Sequence, residues 1–193
     1  MPKAEKYIVM CVGYSHSGKT TFARRMKKAT KNIVVIDNDD IALFVNQTYP
    51  EVALSKFNYS KKTFQDPNFK FLLYQDIFNF CLRAGVNIIL SNGNLAEDIR
   101  SIIRKQAKKY GYKLITLYFN FPERIIMARA NKSQKNRAAF MQAKDWPDVL
   151  RSQKMYAELP PPKKGVIYFE ATDARQLNNA SRRIREILET GRA

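Results

Sequence analysis

Apolar runs of strand length alternate along this chain with stretches whose apolar residues recur at helical spacing. Tyr7–Val12 is uninterrupted and rich in β-branched residues, the pattern of a strand buried on both faces. Four further strands are expected over Asn32–Asp37, Val86–Leu90, Tyr112–Phe119 and Gly165–Glu170. Helices are expected over Thr20–Ala29, Asp40–Asn46, Asn68–Ala84, Leu95–Tyr110, Asp148–Leu159 and Asp173–Thr190. Gly85 and Gly111 stand where a helix would stop, and Pro122 suits the first turn of one more. Residues 48–66 have no clear period and read as a loop or insertion. Residues 131–145 are polar and basic, and Pro160-Pro161-Pro162 interrupts the chain. Strands alternating with helices imply βαβ units, hence an α/β, three-layer fold with a five-stranded, mostly parallel sheet. No internal repeat or linker divides the chain, so residues 1–193 read as one domain.

Composition narrows the partners. Of 193 residues 45% are hydrophobic, too many for a mostly disordered chain, and 7 glycines with 8 prolines exclude a collagen-like or linker-like one. Lys and Arg number 34 against 17 Asp and Glu, a net charge of +17, which favours anionic partners. Cys11 and Cys81 both sit in apolar runs and read as buried small hydrophobes. With no stretch of membrane-spanning length, the expectation is a cytoplasmic protein with no membrane partner.

Between the first strand and the first helix, Gly13-Tyr14-Ser15-His16-Ser17-Gly18-Lys19-Thr20 matches G-x-x-x-x-G-K-[ST], the Walker A phosphate-binding loop (P-loop), in full. Glycines let such a loop wrap a phosphate with its N–H groups inward, and the following helix adds the positive end of its dipole. Lys19 is expected to reach the β- and γ-phosphates of ATP, the Thr20 hydroxyl to hold Mg²⁺, and the nucleotide site to run from Gly13 to Thr21. His16, a variable position of the loop, reads as solvated.

A second polar cluster, Asp37-Asn38-Asp39-Asp40, follows the second strand. In an open α/β sheet ligands sit beyond the carboxyl ends of the strands, so these carboxylates should face the crevice that holds Lys19. Phosphoryl transfer to a hydroxyl wants a carboxylate to accept its proton and another oxygen for Mg²⁺, and Asp37, Asp39 and Asp40 are the candidates, with Asp37 expected at the metal. Capping of the next helix by one of the acids is the competing role.

Together, the loop GYSHSGKTT and the segment NIVVIDNDD resemble the P-loop kinases that include zeta-type toxins and 5′-polynucleotide kinases. The likeness continues through NIILSNGNL, the basic helix ending KKYGY and the strand–Pro–helix ending Ala128-Arg129-Ala130, roughly residues 6–140. It implies that Asp39 is the catalytic base. It also implies an arginine-bearing lid over residues 129–145, within which Arg129 and Arg137 are expected to stabilise the moving phosphoryl group and Lys132 and Lys135 are further basic candidates. Two positions depart from the family. Polynucleotide kinases carry an arginine a little beyond the base, where this chain has Ala42. Both groups carry an acid at the end of the third strand, where this chain has Ser91-Asn92.

The expected activity is transfer of the ATP γ-phosphate to a hydroxyl of a nucleic-acid end, a nucleotide or a nucleotide sugar. A zeta-type identity would add an inhibitory protein partner. The competing reading is a non-catalytic regulatory or nucleic-acid-binding protein. Residues 56–80 mix aromatics with lysines. Phe71, Tyr74 and Phe78 fit a packing stripe, whereas Phe57, Tyr59 and Phe64 are candidates for an acceptor pocket. Arg100, Arg104, Lys105, Lys108 and Lys109, with Arg175, Arg182, Arg183 and Arg185, read as basic surfaces.

Overall fold

Strand β1 (Tyr7–Val12) has no residue more than 1% exposed, so it lies inside a sheet covered on both faces. The computed structural model describes residues 5–53, 69–132 and 146–191. After β1 come α1 (Lys19–Ala29), β2 (Ile33–Ile36), α2 (Asn38–Thr48), α3 (Pro50–Ala53) and α4 (Phe69–Ala84). Then follow β3 (Asn87–Leu90), α5 (Glu97–Lys109), β4 (Lys113–Phe119), α6 (Glu123–Asn131), α7 (Trp146–Tyr156), β5 (Val166–Ala171) and α8 (Ala174–Thr190). The strand order is β2-β3-β1-β4-β5, and every pairing is parallel.

Alternation along β1 builds the layers. Ile8, Met10 and Val12 pack with Tyr74 and Phe78 of α4 and Ile103 of α5. Tyr7, Val9 and Cys11 point the other way, to Phe22 and Met26 of α1 and Ile184 of α8. Ile184 is 0% exposed, and truncation to alanine would cost about 2–5 kcal/mol. Cys11 and Cys81 are free and buried, and burial pushes the Cys11 thiol up to about 12. Among the described residues no helix is long and apolar enough to cross a membrane.

Element ends depart from expectation where local chemistry intervenes. Asn32 adopts φ +60° and Asp37 caps α2, so β2 loses a residue at each end. That cap also starts α2 at Asn38 rather than Asp40. Part of the expected 48–66 loop is helical, since Pro50 opens the short turn α3. Helix α5 starts at Glu97 rather than Leu95 because Asn94 takes φ +44°. Arg100 is not on a basic outer face. It is 1% exposed and donates back to the carbonyls of Asn94 and Leu95 at 2.9 and 2.6 Å. Helical side chains lean toward the N-terminus, which carries this guanidinium over the first turn. Arg104 is also engaged, with Glu97. Arg183 and Arg185 pair with Glu186 and Glu189 along α8.

Candidate active site

The carboxyl ends of β1, β2 and β3 border an open cleft of ≈ 1500 Å³. That exceeds the usual space of one small ligand and suits two reactants side by side. On one side lies the loop. Gly13 has φ +152°, and a Cβ there would come within 2.9 Å of the Phe119 Cβ, so only glycine fits. Its N–H donates to the Gly93 carbonyl at 3.0 Å, which ties the loop to the end of β3. Gly18, at φ +105°, caps α1 without a side chain, and the first turn of α1 holds no acid. Its leading N–H groups therefore have no local carboxylate to satisfy them, unlike those of α2, which Asp37 caps.

Lys19 is buried and donates to the Tyr14 carbonyl at 2.6 Å. The Thr20 hydroxyl donates to Asp37 Oδ2 at 2.9 Å, and the Ser91 hydroxyl donates to the same oxygen at 2.8 Å. Asp37 Oδ1 accepts the Asp39 N–H at 2.9 Å. The buried Asp37 carboxylate thus stands behind Thr20 and caps α2 at once. A hydroxyl backed by a carboxylate is the hard-oxygen donor set that Mg²⁺ prefers, and the open α1 N-terminus suits an anion. Among the described residues no cluster of three or more His, Cys, Asp or Glu could hold a metal by itself. Thr20 with phosphate oxygens and water would hold it instead.

Across the cleft, Asp39 lies half-buried in the first turn of α2. Asp40 is turned outward and pairs with Arg24 at 3.2 Å. Asn92 Oδ1 accepts the Asn38 N–H at 2.8 Å, and the same side chain hydrogen-bonds the Tyr74 hydroxyl. Burial pushes that phenol up, with the Asn92 bond opposing. The neutral residue where related kinases carry an acid therefore fixes the turn bearing Asp39. Lys70, on α4, also lines the cleft. Burial pushes its ammonium down from the ordinary value, and the Asp39 carboxylate pulls it part of the way back.

Arg129 reaches the loop. It donates to the Ser17 carbonyl at 2.9 Å, with its guanidinium 4.4 Å from the centre of the Phe121 ring. Lys132 is exposed at the end of α6. Lys135, Arg137, Phe57, Tyr59 and Phe64, with most of the expected insertion and lid, lie outside the described residues. His16 is not solvated. Its ring meets Trp146 edge-on, centroids 4.1 Å apart, in a left-handed backbone conformation at φ +61°. Sequence reasoning places a helix at Asp148–Leu159, close to α7, but misses what α7 contributes to the loop. Gln153 accepts the Ser15 N–H at 3.0 Å and donates to the Ser15 hydroxyl at 2.9 Å. No local pattern signals a contact across 138 positions.

Comparison with known proteins follows this geometry. The chain is 28% identical over 122 residues to a protein of Autographa californica nuclear polyhedrosis virus assigned as a bifunctional polynucleotide kinase/RNA ligase. The match takes in 58% of this chain and 16% of the viral protein, so the chain spans less than a fifth of that relative. A sugar kinase from Janibacter sp. HTCC2649 superposes with a TM-score of 0.63 at 20% identity, covering 96% of this chain and 97% of that one. The Mycobacterium tuberculosis APS kinase CysC, solved with AMPPNP and APS, gives 0.62 at 15% identity, covering 97% and 100%. At such identities the likeness is one of fold, a kinase-like P-loop fold. Residues 8–160 match the AAA_33 family, described as an AAA domain, and the chain belongs to that family.

Proposed function

We propose that the protein is an ATP-dependent phosphotransferase that moves the γ-phosphate to a hydroxyl of an anionic acceptor. The observation that carries this reading is the sharing of one cleft by two opposed elements: an uncapped helix N-terminus bearing Lys19 and Thr20, and a carboxylate, Asp39, on the facing helix. The loop N–H groups and Lys19 grip the β- and γ-phosphates of ATP. Asp37 orients the Thr20 hydroxyl toward the metal position. Thr20, backed by Asp37, would hold Mg²⁺, which would supply positive charge against the charge that develops during transfer. Asp39 accepts the proton as the acceptor oxygen bonds to the γ-phosphorus and the bond to ADP breaks. Arg129, already at the loop, stabilises the equatorial oxygens. A nucleic-acid end is the favoured acceptor, supported by the net charge of +17 and the similarity to the viral protein.

The test is incubation with γ-labelled ATP, Mg²⁺ and a panel of 5′-hydroxyl oligonucleotides, nucleotides and nucleotide sugars. Label should move to at least one of them and transfer should collapse in Asp39→Asn. Label that moves equally well in the variant, or to nothing in the panel, would overturn the reading.

A further inference from the structure

The cations of the cleft are divided unevenly between its walls. Lys19, Arg24, Arg25, Arg129, Arg182 and Arg185 line it from α1, α6 and α8. On the opposite wall, which holds Asp39 and Asn92, Lys70 is the one cation among the described residues that line the cleft. Helix α2 supplies none, since Asn38–Thr48 contains no lysine or arginine and Ala42 is buried.

Folding does not favour an ammonium at this position. Lys70 is half-buried, so charging it carries a desolvation penalty. Asp39 offsets that penalty only in part. A cation held against it has an explanation in what enters the cleft. Among the described residues that line this wall, an anionic group arriving beside Asp39 would meet no other cation.

We infer that Lys70 anchors a phosphate of the acceptor, next to the hydroxyl that faces Asp39, and so selects phosphate-bearing acceptors over neutral sugars or nucleosides. The inference rests on the reading that the acceptor lies against Asp39. Nucleoside monophosphates, nucleotide sugars and polynucleotide ends all present the required phosphate.

Calorimetry on the full chain, saturated with Mg²⁺ and a non-hydrolysable ATP analogue, separates these possibilities. The probes are adenosine, adenosine 3′-monophosphate, UDP-N-acetylglucosamine and a short 5′-hydroxyl oligoribonucleotide, and the tightest identifies the source of the phosphate. At least one phosphate-bearing probe should bind roughly 10- to 100-fold tighter than adenosine, the worth of a charge-assisted hydrogen bond. Lys70→Gln should remove most of that preference, Lys70→Arg should keep it, and the affinity for the ATP analogue should stay unchanged in both. Thermal melting of Lys70→Gln should fall no lower than wild type, an outcome a structural lysine would not give. Should that variant fail to fold, Lys70→Met carries the same comparison. Adenosine binding as tightly as every phosphate-bearing probe, or a preference that survives Lys70→Gln, would overturn the inference. A Lys70-dependent preference without any label transfer would sink the phosphotransferase reading alone. Label transfer indifferent to Lys70 would sink this inference alone.

Discussion

The two walls of the cleft are built by opposite means. The donor wall is one contiguous loop, Gly13 to Thr20, whose binding groups are main-chain N–H donors at an uncapped helix end, one lysine and one hydroxyl. The acceptor wall is assembled from side chains on separate elements: Asp39 from α2, Lys70 from α4 and Asn92 from the end of β3. A backbone-made site constrains every residue of a short segment, so it leaves a motif. A site assembled from side chains constrains only what meets in space, so substrate choice can change residue by residue. The departure at Asn92 falls on that second wall, and Ala42 is buried in α2, the helix that carries Asp39.

Variants divide along the same line, beginning with the largest effect. Asp39→Asn should lower phosphoryl transfer by about 10²- to 10⁴-fold while ATP affinity, read by calorimetry, stays within about two-fold. Equal losses in both would erase the distinction between the walls. Asn92→Ala should come next. It removes the acceptor for the Asn38 N–H and the partner of the Tyr74 hydroxyl, leaving the turn that carries Asp39 unsupported. A drop of roughly ten-fold in kcat with unchanged KM for ATP is expected, corresponding to about 1.4 kcal/mol.

Glu97→Gln should touch neither wall and register in stability alone. Burial raises the Glu97 carboxyl, but hydrogen bonds from Lys163 and Arg104 prevail and hold it at about 2 against an ordinary 4.5. Because the folded value lies below the unfolded one, the stabilisation is full above about pH 4.5 and is lost as pH falls toward 2. The variant should melt several degrees below wild type at pH 7, for a loss of about 1–2 kcal/mol, and the gap should narrow below pH 4.5 and close as pH approaches 2. A gap that persists in acid would refute the assignment. The smallest expected effect is optical. Trp146 is the chain's one tryptophan and abuts His16 of the loop, so ATP·Mg²⁺ should change its emission, and His16→Ala should abolish that change.

How much of this was legible from the chain follows the same division. Tyr7–Val12 reads at full length because both its faces are buried, and the loop after it reads in full because its conformation demands glycine. Strand–helix alternation gives five strands, mostly parallel, but not their order, β2-β3-β1-β4-β5. Asp37 and Asp39 were visible as a cluster, but only the fold separates an aspartate locked behind Thr20 from one facing the cleft. Arg100 misled because periodicity gives a residue's face, not the path of a long side chain back to loop carbonyls. Gln153 and Trp146 were invisible because their partners Ser15 and His16 are far away in the chain.

The central claim is that the Gly13–Thr20 loop grips a triphosphate. Calorimetric titration of the whole chain with ATP·Mg²⁺ tests it most directly. Saturable one-to-one binding is predicted, weakened about 100-fold or more by Lys19→Ala as a charged phosphate contact is lost. Absence of binding by any purine triphosphate, or affinity unchanged in Lys19→Ala, would contradict the account.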